Sequence, residues 1–272
     1  MKEHISTTRR ILILGMGDSV HLGRWLYQFR DTEFVFHLVS SSPHRRLDPK
    51  ISELLKSSKQ FEISWISRFL SLPLWIFDRI MGDRLRGLLI AWAARNFRPD
   101  LIHILEFQNA GYSYLRARQY SRGLNVVPLL LTPYGSDMFW YQRFRHHKAK
   151  LETLIPLAAG LSSECERDEK LAYKFGFRGS LLPRIPAFGA IKFPLEQQSQ
   201  AERKLIAVKG YQNKWGQASN SLRALAQIAD QIQDFTVVLF SCNRVTLSMA
   251  NKFSKSTGLT VVAHKKGTLT HD

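Results

Sequence analysis

The chain has 272 residues, of which 44% are hydrophobic and 22% are charged, a balance that is typical of globular proteins and excludes a disordered or fibrous chain. Lysine and arginine number 39 against 22 aspartates and glutamates. The formal net charge is therefore +17, and the surface is expected to attract anions such as nucleic acid, anionic lipid or phosphorylated small molecules.

Short apolar runs alternate with helical patterns along the first part of the chain. Strands are predicted at residues 11–14, 34–39, 101–105 and 126–131. Between the first two, Leu22, Leu26 and Phe29 follow the spacing of one helix face. Strands separated by helices indicate βαβ units and a mostly parallel sheet that is covered on both faces, so the α/β class is predicted.

Residues 183–203 interrupt this alternation with three prolines and a polar stretch. We therefore predict a first domain at 1–185, an interdomain connection at 186–203 and a second domain at 204–272. Strands are predicted in the second domain at 205–208, 236–240 and 259–263, with a helix whose apolar face runs from Ala218 to Ile232. A three-stranded sheet leaves an open edge, so a partner or a missing part of the domain is expected.

The turn after the first strand, GMGDSVHLG at 15–23, is the first candidate site. Glycine allows a ligand to approach the backbone closely, and the N–H groups of a helix start bind anions, which singles out Gly17, Asp18 and His21. Val20 stands where a dinucleotide-binding turn needs its third glycine, so NAD binding is disfavoured. The alternative is that the glycines only make a tight turn.

Two further strands end in polar residues. DLIHILEF places His103 within a strand and Glu106 at its carboxyl end, where ligands of open α/β sheets bind. LLLTPYGSD places three candidates after the next strand: Gly135, Ser136 and Asp137. A hydrogen-bonded core histidine and a helix-capping aspartate are the simpler explanations for two of these residues.

Lysines follow the first strand of the second domain. Lys209 ends this strand and Lys214 lies in the loop before the next helix. Two ammonium groups beside a helix start are suited to binding a diphosphate, although exposed loop lysines are common.

Several sites are not indicated by the sequence. It contains no phosphate-binding P-loop, no nucleophile elbow and no zinc-binding HExxH or CxxC pattern. His146 and His147 lie in a basic helical stretch without acidic or cysteine residues at ligand spacing. A solvated surface is the first interpretation, phosphate or lipid contact is the second, and no metal site is expected. The basic residues are scattered and no nucleic-acid module is recognisable, so nucleic acid is not an expected partner.

The stretch 65–92 is rich in tryptophan and arginine. After Pro73, a helix would align one apolar side, formed by Phe77, Met81, Leu85, Leu88 and Trp92. Core packing is the first interpretation of this stripe, and peripheral contact with an anionic membrane is the second. The longest charge-free apolar run has nine residues, 69–77, well short of the roughly 20 that a membrane span needs.

Several segments, in this order and spacing, resemble family 4 glycosyltransferases, which have the GT-B fold. In the first domain they are LGMGDSVHLGRWL, RPDLIHILE, LTPYGSD and SSECERDEKLAYKFGF. IPAFGAIKF resembles the family's crossover between domains, and VKGYQNKWGQASNSLRAL resembles the start of its nucleotide-sugar domain. The resemblance covers nearly the whole chain and implies a complete Rossmann-like first domain followed by an incomplete one.

The resemblance implies a retaining glycosyltransferase of polysaccharide biosynthesis. It would move a sugar from a nucleotide-sugar to a saccharide or lipid-linked acceptor, without a bound metal or other cofactor. Lys209 and Lys214 would stabilise the leaving diphosphate, Gly17 would contact donor phosphate or acceptor through its backbone, and the cleft would be lined by Glu106 and the 135–137 turn. A cytoplasmic location, peripheral on the inner face of the membrane, fits a lipid-linked acceptor and the low cysteine content.

The chain also departs from the family. Leu105 and Tyr134 stand where many members carry histidine, so no catalytic acid or base is assigned. Family members continue beyond the position of Asp272 into a Glu-x₇-Glu region that contacts the donor, so we expect a chain truncated within its nucleotide-sugar domain. The alternative is a non-catalytic GT-B-like protein that binds glycan or nucleotide, or supports a partner enzyme.

Overall fold

The computed structural model describes residues 9–42, 47–64, 71–187, 203–213, 216–266 and 268. The chain divides into two compact units, residues 1–191 and 192–272. The connection expected at 186–203 lies almost wholly outside the described residues.

The first unit is a parallel sheet flanked by helices. Its strands are β1 Arg10–Gly15, β2 Val35–Ser40, β3 Phe61–Ser64, β4 Leu101–Leu105, β5 Leu129–Thr132, β6 Gly160–Leu161 and β7 Ser180–Leu181. Its helices are α1 Val20–Tyr27, α2 Pro49–Ser57, α3 Ser71–Ile80, α4 Arg84–Phe97, α5 Tyr112–Tyr120, α6 Arg145–Leu154 and α7 Glu166–Lys174. The sheet order is β3-β2-β1-β4-β5-β6-β7.

Both faces of this sheet are covered, and the buried residues of β1 and β4 are apolar except for His103. In β1, Ile13 belongs to an apolar cluster with Leu22 of α1, whereas Leu14 belongs to a second cluster with Ile90 of α4. Successive side chains of a strand point to opposite faces, so the two clusters lie on opposite sides of the sheet. This is the buried parallel sheet that the sequence predicts.

The second unit repeats the βα alternation on a smaller scale. Its strands are β8 Leu205–Lys209, β9 Thr236–Cys242 and β10 Thr260–Lys265, and its helices are α8 Ala218–Gln227 and α9 Arg244–Thr257. The strands are parallel in the order β10-β9-β8. Val208 and Val237 pack in one cluster with Leu222 of α8 and Phe253 of α9. Two units of parallel sheet and helices confirm the predicted α/β class.

Two sequence predictions are wrong in detail. The strand predicted at 126–131 begins only at Leu129, because Val126 follows a 3₁₀ turn with its side chain 82% exposed. The apolar stretch after Pro73 is two helices, since Gly82 and Asp83 adopt positive φ angles of 68° and 65°. The stripe of Phe77, Met81, Leu85, Leu88 and Trp92, for which core packing was the first interpretation, is exposed.

Ionised groups are also buried here: Asp78 in α3, and Arg86 beside the apolar residues that α4 contributes to the core. Arg86 is buried, and its Nε lies 2.6 Å from Asp78 Oδ2 while its Nη2 contacts Asp83 Oδ1. Arg86 Nη1 also donates to the carbonyl oxygen of Ser41, the residue after β2, at 3.0 Å. This arginine therefore ties both helices to the carboxyl end of β2.

We predict that Arg86→Met lowers the free energy of unfolding by about 3–5 kcal/mol, because it leaves the buried Asp78 carboxylate without its counter-charge and Asp83 with Arg79 alone. Arg84→Met, in the same helix at an exposed position, should change it by less than about 0.5 kcal/mol. Urea denaturation of both variants measures the difference. Similar losses in the two variants would show that the buried ion pairs are not what stabilises α4.

Candidate functional site

The order of the first sheet reverses between β1 and β4. These strands are neighbours, with β2 and β3 on one side and β5, β6 and β7 on the other. In open α/β sheets, the loops diverge at such a point and leave a ligand-binding crevice outside the carboxyl ends of the strands. Three loops reach this edge: residues 16–19 after β1, 106–111 after β4 and 133–137 after β5.

The loop after β1 is held against the end of β2. The N–H of Gly17 donates to Ser40 Oγ at 3.1 Å, and the Ser42 hydroxyl donates to Asp18 Oδ1 at 2.6 Å. A Cβ atom on Gly17 would lie 3.0 Å from both Ser40 Oγ and Leu47 Cδ2, so a larger residue here would have to displace these two side chains. The loop is fixed from one side, and the exposed Asp18 marks its solvent side.

Helix α1 begins at this loop with a side-chain cap. Ser19 Oγ accepts the N–H of His21 at 3.2 Å. The His21 side chain is exposed, and its ring lies 6.0 Å from the Tyr134 ring in an edge-on arrangement. His21 therefore lies beside the loop after β5, and the first and third loops border the same part of the edge.

Glu106 forms the turn after β4. Its backbone has a positive φ of 77°, and its side chain is buried. The carboxylate accepts the N–H groups of Asn109 at 3.0 Å and Ala110 at 2.6 Å, and the hydroxyl of Ser41 at 3.0 Å. Burial raises the pKa of Glu106, and these hydrogen bonds oppose the rise. Glu106 is thus the cap of the π turn Phe107–Gly111 and joins it to the end of β2.

Asp137 joins the second loop to the third. Its Oδ2 accepts the N–H of Phe107 at 2.9 Å and the N–H of Tyr134 at 3.0 Å. The side chain is buried, and burial together with the negative charge of Glu106 raises the pKa of Asp137 well above its usual range. Asp137 was expected to cap a helix as the simpler alternative to a ligand contact. Its carboxylate instead accepts backbone N–H groups from two loops.

The two residues before Asp137 lie nearer to solvent. Gly135 is exposed, and its carbonyl oxygen accepts Arg167 Nη2 at 2.8 Å. Ser136 is half-buried, and its carbonyl oxygen accepts the N–H of Trp140 at 3.0 Å. The structure therefore brings Asp18, His21, Gly135 and Ser136 to the accessible side of the edge, with Glu106 and Asp137 beneath them.

His103 does not join this group. It lies in the middle of β4, buried, with Nε2 2.7 Å from Thr132 Oγ1 and its ring 4.7 Å from the Trp25 ring. Burial lowers the pKa of His103 to about 3, so the imidazole is neutral at physiological pH. It is a hydrogen-bonded core histidine.

In the second unit, Lys209 is the last residue of β8 and is exposed. Its Nζ lies 4.6 Å from the centre of the Tyr211 ring, a cation–π distance that orients the ammonium group. A Cβ atom on Gly210 would lie 2.4 Å from Cys242 Sγ, so the chain leaves β8 in close contact with β9. Lys214 lies outside the described residues.

Three serines at the carboxyl end of β2 are site residues that the sequence patterns do not predict. Ser40, Ser41 and Ser42 each bond to a different loop residue: Gly17, Glu106 and Asp18. Their signal was three hydroxyl residues at the carboxyl end of a predicted strand, and the missing information was that β2 adjoins β1. Among the described residues, no group of three histidine, cysteine or acidic side chains could hold a metal ion, and no described helix is long and apolar enough to span a membrane.

No protein-family model matches the sequence, and no curated protein matches it. Solved structures match it in fold. The lipopolysaccharide outer core galactosyltransferase WaaB is 10% identical, with a TM-score of 0.60 over 95% of this chain and 68% of that chain. UDP-GlcNAc 2-epimerase from Neisseria meningitidis, bound to UDP-GlcNAc, is 11% identical, with a TM-score of 0.58 over 95% and 72%. A trehalose-6-phosphate synthase is 10% identical, with a TM-score of 0.58 over 94% and 73%. These matches confirm the predicted GT-B-like fold.

We predict that Asp137→Asn and Asp137→Ala differ strongly in stability. The asparagine can still accept both N–H groups and removes a charge beside Glu106, so its cost should stay below about 1 kcal/mol. The alanine leaves two buried donors without an acceptor and should cost about 2–4 kcal/mol. Equal losses in urea denaturation would mean that the charge of Asp137, rather than its acceptor oxygen, holds the loops.

The buried His103 predicts a pH dependence of stability. Its pKa is lower in the folded chain than in the unfolded chain, so the unfolded chain binds the extra proton and stability falls as the pH drops from about 6.5 towards 3. His103→Gln removes this contribution. The stability advantage of the unmodified chain over the variant should be constant above about pH 7 and shrink by about 1.4 kcal/mol per pH unit below about pH 6.

The variant is the necessary reference because Glu106 and Asp137 act in the opposite direction. Their raised pKa values make the folded chain take up protons first, so both contribute stability that grows as the pH falls. These contributions are common to the two proteins and cancel in the difference. A difference that does not change with pH would show that His103 is not protonated on unfolding.

Proposed function

We propose that the chain binds a nucleotide-sugar and transfers its sugar, with retention, to a saccharide or lipid-linked acceptor. The observation that carries the proposal is the exposed Lys209 at the carboxyl end of β8, in the second of two Rossmann-like units. The GT-B-like fold supports it, since solved structures of this fold include a galactosyltransferase and an enzyme bound to UDP-GlcNAc.

The donor diphosphate is proposed to bind at the second unit. An ammonium group at the carboxyl end of a parallel strand, ahead of a helix, lies where anionic ligands of such sheets bind. Lys209 and Lys214 would neutralise the charge that develops on the diphosphate as the sugar leaves. Because lysine supplies this charge, the proposal includes no bound metal and no other cofactor.

The acceptor is proposed to bind at the first unit, over the loops after β1 and β5. Asp18, His21 and Ser136 offer polar groups there. Gly17 is buried, its N–H donates to Ser40, and the space of its absent Cβ faces Ser40 and Leu47, so we assign it a role in positioning the loop. Glu106 and Asp137 position the loops, and no residue is assigned as catalytic acid or base.

A non-catalytic nucleotide- or glycan-binding protein is the second candidate. The two buried carboxylates at the edge accept backbone N–H groups from the loops, which favours a structural role for both. Solved structures of this fold also include epimerases. An assay with UDP-GlcNAc and UDP-galactose should therefore follow sugar transfer and epimerisation together. Ligand binding without either reaction supports the second candidate.

We predict that Lys209→Ala weakens the binding of uridine or guanosine diphosphate by about 10- to 100-fold, the effect of losing a charge-assisted contact. Lys204→Ala is the matched control. Lys204 directly precedes β8, at the opposite end of the strand from Lys209, and pairs with Asp234. Isothermal titration of both variants measures the difference. Equal affinity in the two variants, or no binding of either nucleotide to the unmodified chain, would contradict the donor site.

A further inference from the structure

Helices α3 and α4 expose an apolar surface. Six of its side chains are between 39% and 78% exposed: Ile76, Phe77, Ile80, Leu85, Leu88 and Trp92. We call this set the α3–α4 face. Large apolar side chains exposed together on two packed helices indicate a contact with another protein or with lipid.

The exposure of this face is fixed by the fold. Asp78 and Arg86 occupy the buried sides of the two helices, where their ion pair is completed by the Ser41 carbonyl oxygen and by two N–H groups, those of Leu85 and Arg86, that donate to Asp78 Oδ1. Turning the apolar residues inwards would break this ion pair and leave its charges either exposed to solvent or buried without a partner. With Asp78 and Arg86 inside, the residues of the α3–α4 face point outwards.

The charges around the face all have one sign. Between residues 71 and 98 the exposed charged residues are Arg79, Arg84, Arg95 and Arg98. The two acidic residues of this segment, Asp78 and Asp83, are buried with Arg86, and Asp83 also pairs with Arg79, so Arg84, Arg95 and Arg98 carry the unbalanced charge of the segment. Exposed apolar side chains on helices with this positive charge complement an anionic lipid surface, whereas a second copy of the face would bring arginine towards arginine.

A basic cavity lies beside the turn between the two helices. Its volume is about 440 Å³, and its lining includes Gly82, Arg116, Arg118 and Lys150. Arg116 Nε donates to the Gly82 carbonyl oxygen at 3.1 Å, so the cavity adjoins the α3–α4 turn directly. The lining carboxylate of Asp83 is engaged by Arg79 and Arg86. Burial lowers the pKa of Lys150, the negative charge of Asp83 opposes this shift, and the charges of Arg79, Arg116 and Arg86 add to it.

We propose that the α3–α4 face docks on an anionic phospholipid membrane and that the cavity lined by Arg116 and Lys150 binds the phosphate of one lipid headgroup. The apolar residues enter the boundary between headgroups and acyl chains, and the arginines remain at headgroup level. Docking through this face does not depend on the donor site, so the two proposals fail separately.

The test is co-sedimentation of the full chain with vesicles of phosphatidylglycerol and phosphatidylcholine in equal parts. Ile80→Ser should weaken binding by about tenfold or more through lost apolar burial, and Lys150→Gln by about fivefold through one lost charge. Val126→Ser and Lys148→Gln are the matched controls, because Val126 is similarly exposed outside the face and Lys148 is on the same helix as Lys150 but does not line the cavity. Both controls should bind like the unmodified chain.

Equal binding to vesicles of phosphatidylcholine alone, or no binding at all, overturns the proposal. Unchanged binding of Ile80→Ser overturns docking through the face, and unchanged binding of Lys150→Gln overturns the headgroup cavity. A dimer in gel filtration that Ile80→Ser dissociates, without vesicle binding, assigns the face to self-association instead. Thermal unfolding confirms that each variant is folded, and titration with uridine diphosphate shows whether the donor site survives independently.

Discussion

The carboxyl edge of the first sheet depends on buried carboxylates that accept backbone N–H groups. Where parallel strands end, the chain must turn away from the ladder, and its N–H groups need new acceptors. Glu106 supplies them for its own π turn, and Asp137 supplies them for the loops after β4 and β5. Burial raises the pKa of both carboxyl groups, and the negative charge of Glu106 raises that of Asp137 further.

The same edge is connected to α3 and α4 through one residue of the loop after β2. Ser41 donates its hydroxyl to Glu106 and accepts Arg86 Nη1 on its carbonyl oxygen. The helices are thereby tied to the edge by polar groups at their buried side. This explains why an apolar sequence such as that of α3 packs with its apolar side outwards, which hydrophobic periodicity alone interprets in the opposite sense.

The sequence predicts the α/β class and the central strands because these depend on local apolar runs. β4 is predicted with its observed bounds, and β1 differs by one residue at each end. The short strands β6 and β7 have two residues each and carry no periodicity to detect. The candidate site is predicted in part: Gly17 and Glu106 follow strands, but the pairing of Ser41 with Glu106 depends on the non-local contact between β1 and β2.

Part of the net positive charge of the chain has a defined location in residues 71–98, where both acidic residues are buried. Residues 71–98 contain five arginines and two aspartates, a formal charge of +3. Both aspartates are buried with Arg86, and Asp83 also pairs with Arg79, so these four charges balance and the formal charge of +3 lies on the exposed Arg84, Arg95 and Arg98. Burial therefore sets unbalanced positive charge beside the exposed apolar side chains. An anionic lipid surface satisfies both properties at once, whereas a soluble anion satisfies only the charge.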